Sequence, residues 1–150
     1  MRYLAIDHGQ KRTGLAISDA SETLVSPHSV IETTNEDELL RRISDVLEAE
    51  EIDAVVVGLP VNMDGTEGDR SRKVRQFVLA LQQRIDKPVH LHDERLSSFE
   101  ADCLVGDLEL TRKKKKRRLD AIAAAAILRS FFEKKTTNND PDETNVSHLK

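Results

Sequence analysis

The most constraining feature of this sequence is an uninterrupted apolar run at residues 54–58, which reads Ala-Val-Val-Val-Gly. A strand of this kind is typical of a parallel sheet that helices cover on both faces. Because parallel strands need crossover connections, helices and strands must alternate around it. The run therefore predicts an α/β domain, and 150 residues are enough for one such domain with a single core.

Two short apolar segments precede this run and predict a β-hairpin. Residues 2–7 end in an acid, Asp7, and residues 14–19 read Gly-Leu-Ala-Ile-Ser-Asp, with turn-forming residues between them. A third extended segment, near residues 27–33, would complete an antiparallel meander. The predicted sheet is therefore mixed, beginning antiparallel and ending parallel.

Apolar residues at helical spacing predict the helices. Asn35, with Glu38 three positions on, begins the first helix, which runs to about residue 50. The later predicted elements are a helix through residues 74–85, a strand at 88–92, a helix opened by Ser97 and Glu100, and an alanine-rich helix at 119–132. The order β-β-β-α-β-α-β-α-α predicts an α/β domain whose mixed sheet is flanked by helices.

The two ends of the chain bear on domain organisation and location. From about residue 136 the sequence is polar and lacks apolar periodicity, so we expect a domain over residues 1–135 and a disordered tail over residues 136–150. Nowhere do about eighteen apolar residues follow one another, and the N-terminal segment reaches Asp7 too early for a signal peptide. We therefore expect a cytoplasmic protein without a membrane partner.

The net charge of −4 hides a strong asymmetry along the chain. Residues 1–69 carry 5 basic and 15 acidic side chains, whereas residues 70–118 carry 14 basic and 7 acidic ones. A metal-dependent enzyme acting on phosphates would need an acidic half that supplies metal ligands beside a basic half. Nucleic acid is therefore the expected partner despite the acidic average.

Three acids stand at the ends of core elements: Asp7 after the first strand, Glu94 after the last, and Asp120 near the start of the alanine-rich helix. Functional groups of such sheets gather beyond the carboxyl ends of parallel strands. The alanines among residues 121–126 would let that helix approach the sheet and bring Asp120 to the same place. Strand neighbours point to opposite faces, so the spacing leaves Asp93 open as an alternative to Glu94.

Carboxylates grouped in this way predict a divalent cation, because buried carboxylates repel one another unless a cation neutralises them. Magnesium favours oxygen ligands, and two such ions can activate the attacking water and stabilise the leaving oxygen. We predict that Asp7, Glu94 and Asp120 are both the metal ligands and the catalytic residues, with Mg²⁺ or Mn²⁺ as cofactor. His90 and His92 alternate along a strand and are expected to be structural.

Basic side chains near these acids predict phosphate contacts. The densest positive run, residues 112–118, leads directly into Asp120, and a second set begins the helix after a glycine-rich loop. Aromatic residues are too scarce for base stacking to dominate, so shape and phosphate contacts are the expected mode. The nucleic-acid-binding residues predicted in these two segments are Arg70, Arg72, Lys73, Arg112, Lys113, Lys114, Lys115, Lys116, Arg117 and Arg118.

Four segments in order resemble the motifs of the YqgF/RuvX family, described both as Holliday junction resolvases and as pre-16S rRNA nucleases. They are residues 6–14 (IDHGQKRTG), 58–68 (GLPVNMDGTEG), 93–97 (DERLS) and 116–124 (KRRLDAIAA). The resemblance covers nearly the full length, although His8 is uncommon at its position. It implies a ribonuclease H-like fold with a central five-stranded sheet, and it selects Glu94 over Asp93. Further residues within these motifs are predicted to bind nucleic acid: Lys11, Arg12, Asn62 and Arg95.

The resemblance implies one of two roles that are attributed to this family: trimming of the 5′ end of the ribosomal RNA precursor, or resolution of four-way DNA junctions. We predict the first, with the ribosomal particle as a further partner, and keep the second as an alternative. A junction resolvase makes two symmetric cuts and needs a dimer, so monomer and homodimer both stay open. A non-catalytic nucleic-acid-binding module is a third interpretation. An ATP-binding interpretation of Asp7, Gly9 and Gly14 is disfavoured, because two domains closing around a nucleotide need more than 150 residues.

Overall fold

A computed structural model describes residues 1–96 and 112–137, with side chains at 1–96 and 119–136. The elements follow in the order β1 (Tyr3–Asp7), β2 (Arg12–Ser18), β3 (Val25–Glu32), α1 (Glu36–Ala49), β4 (Ala54–Leu59), α2 (Asp69–Arg84), β5 (Val89–Asp93), a 3-10 turn (Glu94–Leu96) and α3 (Arg112–Thr137). Within these ranges no helix is long and apolar enough to cross a membrane.

The five strands form one mixed sheet in the order β3-β2-β1-β4-β5. The β1–β2 and β2–β3 pairs are antiparallel, whereas the β1–β4 and β4–β5 pairs are parallel. The predicted α/β class and the meander followed by parallel strands are confirmed. Strands β1, β4 and β5 are neighbours and run in the same direction. Their last residues, Asp7, Leu59 and Asp93, therefore lie at the same end of the sheet, which we call its carboxyl edge.

Each face of the sheet is covered by its own hydrophobic cluster. Leu4 and Ile6 of β1 belong to the cluster formed with α1 and α2, whereas Tyr3 and Ala5 of the same strand belong to the cluster formed with α3. Successive strand residues alternate between faces, so Asp7 continues the series of Tyr3 and Ala5. The first acid therefore lies on the face that α3 covers.

The α3 face of the sheet carries several small residues. Gly14 of β2 lies so near the helix that an added Cβ atom would stand 2.0 Å from the carbonyl oxygen of Asp120. The small residues that meet the buried Ala124 and Ala125 of α3 on this face are Ala5, Ala16 and Ala54. Small side chains on both partners let the backbones approach, so the predicted close contact between helix and sheet is confirmed.

Several predicted boundaries are wrong. Strand β2 begins at Arg12 rather than at residue 14, and the last helix spans Arg112–Thr137 rather than residues 119–132. The predicted start of the helix rests on the spacing of apolar residues, and the basic run contains none. Lysine and arginine are nevertheless good helix formers, so the helix extends through this run. The helix predicted to open at Ser97 falls outside the described residues.

Helix α3 reaches Thr137, two residues into the predicted tail. The rest of that tail, residues 138–150, also lies outside the described residues. The domain boundary at residue 135 therefore stays a prediction.

Candidate active site

Asp7 and Glu94 meet at the carboxyl edge of the sheet. Asp7 is the last residue of β1, and Glu94 begins the 3-10 turn that follows β5. Their carboxyl groups lie within hydrogen-bonding reach of each other. Burial, then the charge and hydrogen bond of Glu94, raise the pKa of Asp7 to about 8, and the nearby charge of Asp120 acts in the same direction. Burial and the neighbouring acids therefore favour the protonated form of Asp7.

The neighbouring acid, Asp93, has a different role. Its carboxylate accepts the backbone N–H of Arg95 at 2.9 Å and the guanidinium of the same residue at 2.8 Å. The hydrogen bond from the Arg95 side chain is the largest contribution to the lowered pKa of Asp93. The structure thus brings Glu94 to Asp7 and uses Asp93 to hold the turn.

Asp120 lies beside this pair on α3. Its backbone rests on Gly14, and Gly14 is the direct cross-strand partner of Asp7. Its carboxylate, however, accepts a hydrogen bond from Nε of Arg12 at 2.8 Å. Among the side chains that the structure describes, no three acidic, histidine or cysteine groups are close enough to form a metal site. Two of the three predicted acids are therefore joined to each other, and the third is paired with an arginine.

A buried polar pair anchors the end of the turn that carries Glu94. The hydroxyl of Ser130 in α3 donates to the carbonyl oxygen of Leu96 at 2.9 Å and lies 2.8 Å from Nε2 of His92. A serine hydroxyl has one proton, so Nε2 of His92 must donate to it. His92, which was expected to be structural, is buried and serves this contact. Ser130 was not among the predicted site residues, and its signal in the sequence is a polar residue within an apolar stretch of the helix.

Glycine at position 58 makes room for Glu94 on the same side. A Cβ atom there would stand 2.8 Å from Oε1 of Glu94 and 2.5 Å from Cδ1 of Ile127. Residues with side chains at position 58 would push Glu94 away from the sheet. Gly58, Ser130 and Asp93 together determine where the Glu94 carboxyl group lies.

The predicted nucleic-acid-binding residues fall into three groups. Arg70, in the first turn of α2, is exposed, and its charge lowers the pKa of both Asp7 and His8, so it lies near the acids. Lys11 and Lys73 are exposed as well. For the helical run at 112–118 only the backbone is described. Four residues make contacts within the protein: Arg12 and Arg72 pair with Asp120 and Asp69, Asn62 donates to Thr66, and Arg95 donates to the carbonyl oxygens of Asn62 and Met63.

His8, the uncommon residue of the first motif, has an identifiable place. Its ring stacks on that of Phe77 in α2 with a centroid distance of 4.4 Å. Burial, followed by the charge of Arg70, lowers its pKa. The stacking connects the loop after Asp7 to the helix that carries Arg70.

Comparison with known proteins agrees with this architecture. Solved structures with the same fold include "T. thermophilus RuvC in complex with Holliday junction substrate", with a TM-score of 0.58 and 20% identity over 91% of this chain and 97% of that one. Another is a fowlpox virus resolvase in complex with Holliday junction DNA, with a TM-score of 0.53 and 16% identity over 89% of this chain and 98% of that one. At such identities the likeness is one of fold, and it confirms the predicted ribonuclease H-like class.

Sequence relatives are closer. A protein of Maridesulfovibrio salexigens named "Putative pre-16S rRNA nuclease" is 42% identical over 102 residues, which are 68% of this chain and 76% of the relative. A relative of the same name from Halothermothrix orenii is 37% identical over 113 residues, which are 75% of this chain and 81% of the relative. The family model described as "RuvX: Holliday junction resolvase" matches residues 1–134. Together with the order of the motifs and the acids that they carry, these matches show that the chain belongs to the RuvX family.

Proposed function

We propose that this protein is a metal-dependent nuclease that hydrolyses phosphodiester bonds and processes the 5′ end of pre-16S rRNA. The observation that carries the proposal is the hydrogen-bonded pair of Asp7 and Glu94 at the carboxyl edge of the sheet, with Asp120 held close by Gly14. A divalent cation can take the place of the proton that such a pair of carboxyl groups retains near neutral pH. Cytoplasmic location is part of the same proposal.

The residues present suit a hard divalent cation. Asp7, Glu94 and Asp120 offer carboxylate oxygens, which are the ligands that Mg²⁺ and Mn²⁺ prefer. Burial, followed by the charges of Glu94 and Asp120, raises the pKa of Asp7, so a cation would stabilise its ionised form. We infer that these three acids would hold the cation, with Asp120 leaving Arg12. When bound, the cation supplies an activated water and stabilises charge on the phosphate.

The chain's own residues would supply the binding energy for the polyanion. Arg70 lies near the acids, and the helical run at residues 112–118 leads directly to Asp120. These positions support backbone contacts made beside the bond to be cut. By contrast, Arg95 and Asn62 are engaged within the protein, so we propose that they shape the loop after β4 rather than hold nucleic acid.

Two observations bear on the substrate. The curated relatives at 37–42% identity are named for pre-16S rRNA, which favours the ribosomal RNA precursor, met either free or within the ribosomal particle. The matching family model is described as a Holliday junction resolvase, and the similar RuvC is in complex with a Holliday junction substrate, which supports four-way DNA as the second candidate. A homodimer would be required for the second and not for the first.

The deciding experiment compares cleavage of a 5′-extended 16S precursor and of a four-way DNA junction in Mg²⁺, Mn²⁺ and EDTA. We expect Asp7→Asn, Glu94→Gln and Asp120→Asn each to remove most cleavage while salt-dependent binding persists. Asp53→Asn is the matched control, because this acid lies at the opposite edge of the same sheet, where it accepts the backbone N–H of Arg2. Cleavage that survives in all three site variants would refute the proposal, and binding without any cleavage by the wild type would favour a non-catalytic module.

A further inference from the structure

Arg12 is bonded to one of the acids that the proposed function requires. Its Nε donates to the carboxylate of Asp120 at 2.8 Å, and the two side chains are 37% and 28% exposed. A half-exposed ion pair of this kind is weak enough to break when a better partner for either side arrives. The pair is therefore an exchangeable contact at the centre of the candidate site.

We propose that Arg12 competes with the divalent cation for Asp120 and, once released, binds a phosphate of the nucleic acid, so that metal loading and substrate binding are coupled. The proposal rests on the proposed nuclease function. It assigns Arg12 a role beyond general phosphate attraction, because the residue occupies a metal ligand before it meets the substrate.

The position of Arg12 in the sheet supports this exchange. Arg12 stands two residues before Gly14 on β2, so the two residues share the face that α3 covers. Gly14 is opposite Asp7 in the antiparallel pair, which places Arg12 just beyond the carboxyl end of β1. The same strand thus brings a guanidinium to the edge at which Asp7 and Asp120 meet, where a phosphate would have to approach.

The backbone of Arg12 is fixed, so only its side chain can change partners. Arg12 pairs with Glu32 of β3, and the backbone of Gly9 approaches so closely that a Cβ atom there would stand 2.2 Å from the carbonyl oxygen of Arg12. Rotation of the side chain therefore moves the guanidinium while the strand stays in place. A guanidinium is always charged and fits phosphate oxygens in a bidentate manner, so release from Asp120 leaves it ready for the polyanion.

Asp120 has Arg12 as its partner in the absence of a cation. Binding of a cation by Asp120 would require the guanidinium to leave, and the released guanidinium could then serve the substrate. Arg75 and Arg95 differ in this respect, because their carboxylate partners, Glu67 and Asp93, lie outside the three acids.

The test measures Mn²⁺ affinity by calorimetry on the full chain without nucleic acid. Arg12→Gln should raise the affinity about two- to fivefold, the range expected for removal of a half-exposed ion pair. Lys11→Gln is the matched control for this measurement, because it removes the same charge from the adjacent, exposed residue and no described hydrogen bond joins Lys11 to Asp120. In an Asp120→Asn background, Arg12→Gln should have no greater effect than Lys11→Gln.

A second measurement tests the transfer to phosphate. Fluorescence anisotropy of a labelled RNA oligonucleotide, checked for intactness on a gel, gives the gain in affinity when Mn²⁺ replaces EDTA. That gain should be smaller in Arg12→Gln than in the wild type, because the residue that couples the two ligands is missing.

The possible failures are distinguishable. Equal effects of Arg12→Gln and Lys11→Gln on Mn²⁺ affinity would mean that Arg12 acts only through its charge. That result would overturn the proposed exchange but leave the proposed nuclease function standing. A lower affinity in Arg12→Gln would show that Arg12 orients Asp120 toward the cation, which also overturns it. If the wild type bound no cation at all, the proposed metal-dependent function would fail. Equal affinity without Asp120 would overturn the exchange, because Arg12 would then have no metal ligand to compete for.

Discussion

Gly14→Ala tests how the fold delivers the third acid. The added Cβ would stand 2.0 Å from the carbonyl oxygen of Asp120, 2.4 Å from its carbonyl carbon and 3.0 Å from the backbone nitrogen of Ala121. All three atoms belong to the backbone of α3, so no side chain can rotate away. Because non-bonded carbon contacts normally lie near 3.5–4.0 Å, the helix must move by about 1 Å or more. Overpacking of this kind costs roughly 1–3 kcal/mol in the free energy of unfolding.

The functional effect should exceed the effect on stability. A displacement of about 1 Å can lower a rate about 100-fold when it misplaces a catalytic group, so cleavage should fall by that order while most of the protein stays folded. Each kcal/mol lost should lower the Tm by about 2–4 °C in a domain of this size, which calorimetry can measure. Denaturant titration and cleavage of the preferred substrate then give the two quantities side by side.

Gly68→Ala is the matched control for this substitution. Its added Cβ would have Asn62 Nδ2 as its nearest neighbour at 3.7 Å, an ordinary contact. Gly68 is the N-cap of α2, where alanine is a poorer residue, so we expect a loss of at most about 1 kcal/mol and cleavage close to that of the wild type. The reasoning would be refuted if Gly14→Ala kept both its Tm and its cleavage. A large loss of stability with full cleavage would show that the position of Asp120 is unimportant.

Three other predictions concern acid–base behaviour, positioning and binding. In EDTA the folded protein keeps the Asp7 proton that the unfolded chain loses near its ordinary pKa of 3.8, so stability should fall as the pH rises from about 4 to about 8. Calorimetry should show that Asp7→Asn removes most of this fall, and parallel pH profiles would contradict the raised pKa. Ser130→Ala leaves the buried His92 N–H without its acceptor, so unfolding free energy should drop by about 1–3 kcal/mol and kcat should drop with it. Ser18→Ala, which removes a buried serine contact at the opposite edge of the sheet, should cost similar stability without affecting kcat; equal kcat in both variants would contradict positioning by Ser130. Alanine at Lys113–Lys116 should reduce the slope of log binding constant against log salt by at most about 3–4, and an unchanged slope would mean that these lysines do not contact phosphates.

Much of the fold could be predicted because its signals are local. The apolar run that became β4 is buried at all six positions, and the capping pair at Asn35 begins α1, where its side chain accepts the N–H of Glu38 at 3.0 Å. Each of these patterns is contained in a few consecutive residues. The start of α3 at Arg112 could not be read in the same way, because a basic run has no apolar face and resembles a solvated linker.

The candidate site was predictable only in its acids. Asp7 and Glu94 follow strands, so their approach depends on strand order, which the α/β pattern limits to a few arrangements. The bond between Arg12 and Asp120 joins residues 108 positions apart, and the contact of Ser130 with Leu96 joins residues 34 apart. No local pattern specifies such pairs, since they depend on the final distance between helix and sheet.

Small residues on both α3 and the sheet set the distance between them, and only those of α3 were evident from the sequence. The alanines of α3 predicted a thin helix face, but the sheet presents an equally thin face in Gly14, Ala16 and Gly58, each of which appears in sequence as one small residue within a strand. The opposite face of the same sheet carries the large side chains, with Phe77 and Ile43 fully buried against it. The larger hydrophobic cluster is formed with α1 and α2, while the α3 face has little side-chain volume near Gly14 and Gly58 to absorb a shift and sets the positions of Glu94 and Asp120. Substitutions that enlarge residues on the α3 face should consequently reduce cleavage more than their effect on stability would suggest, whereas truncations on the α1–α2 face should reduce stability first.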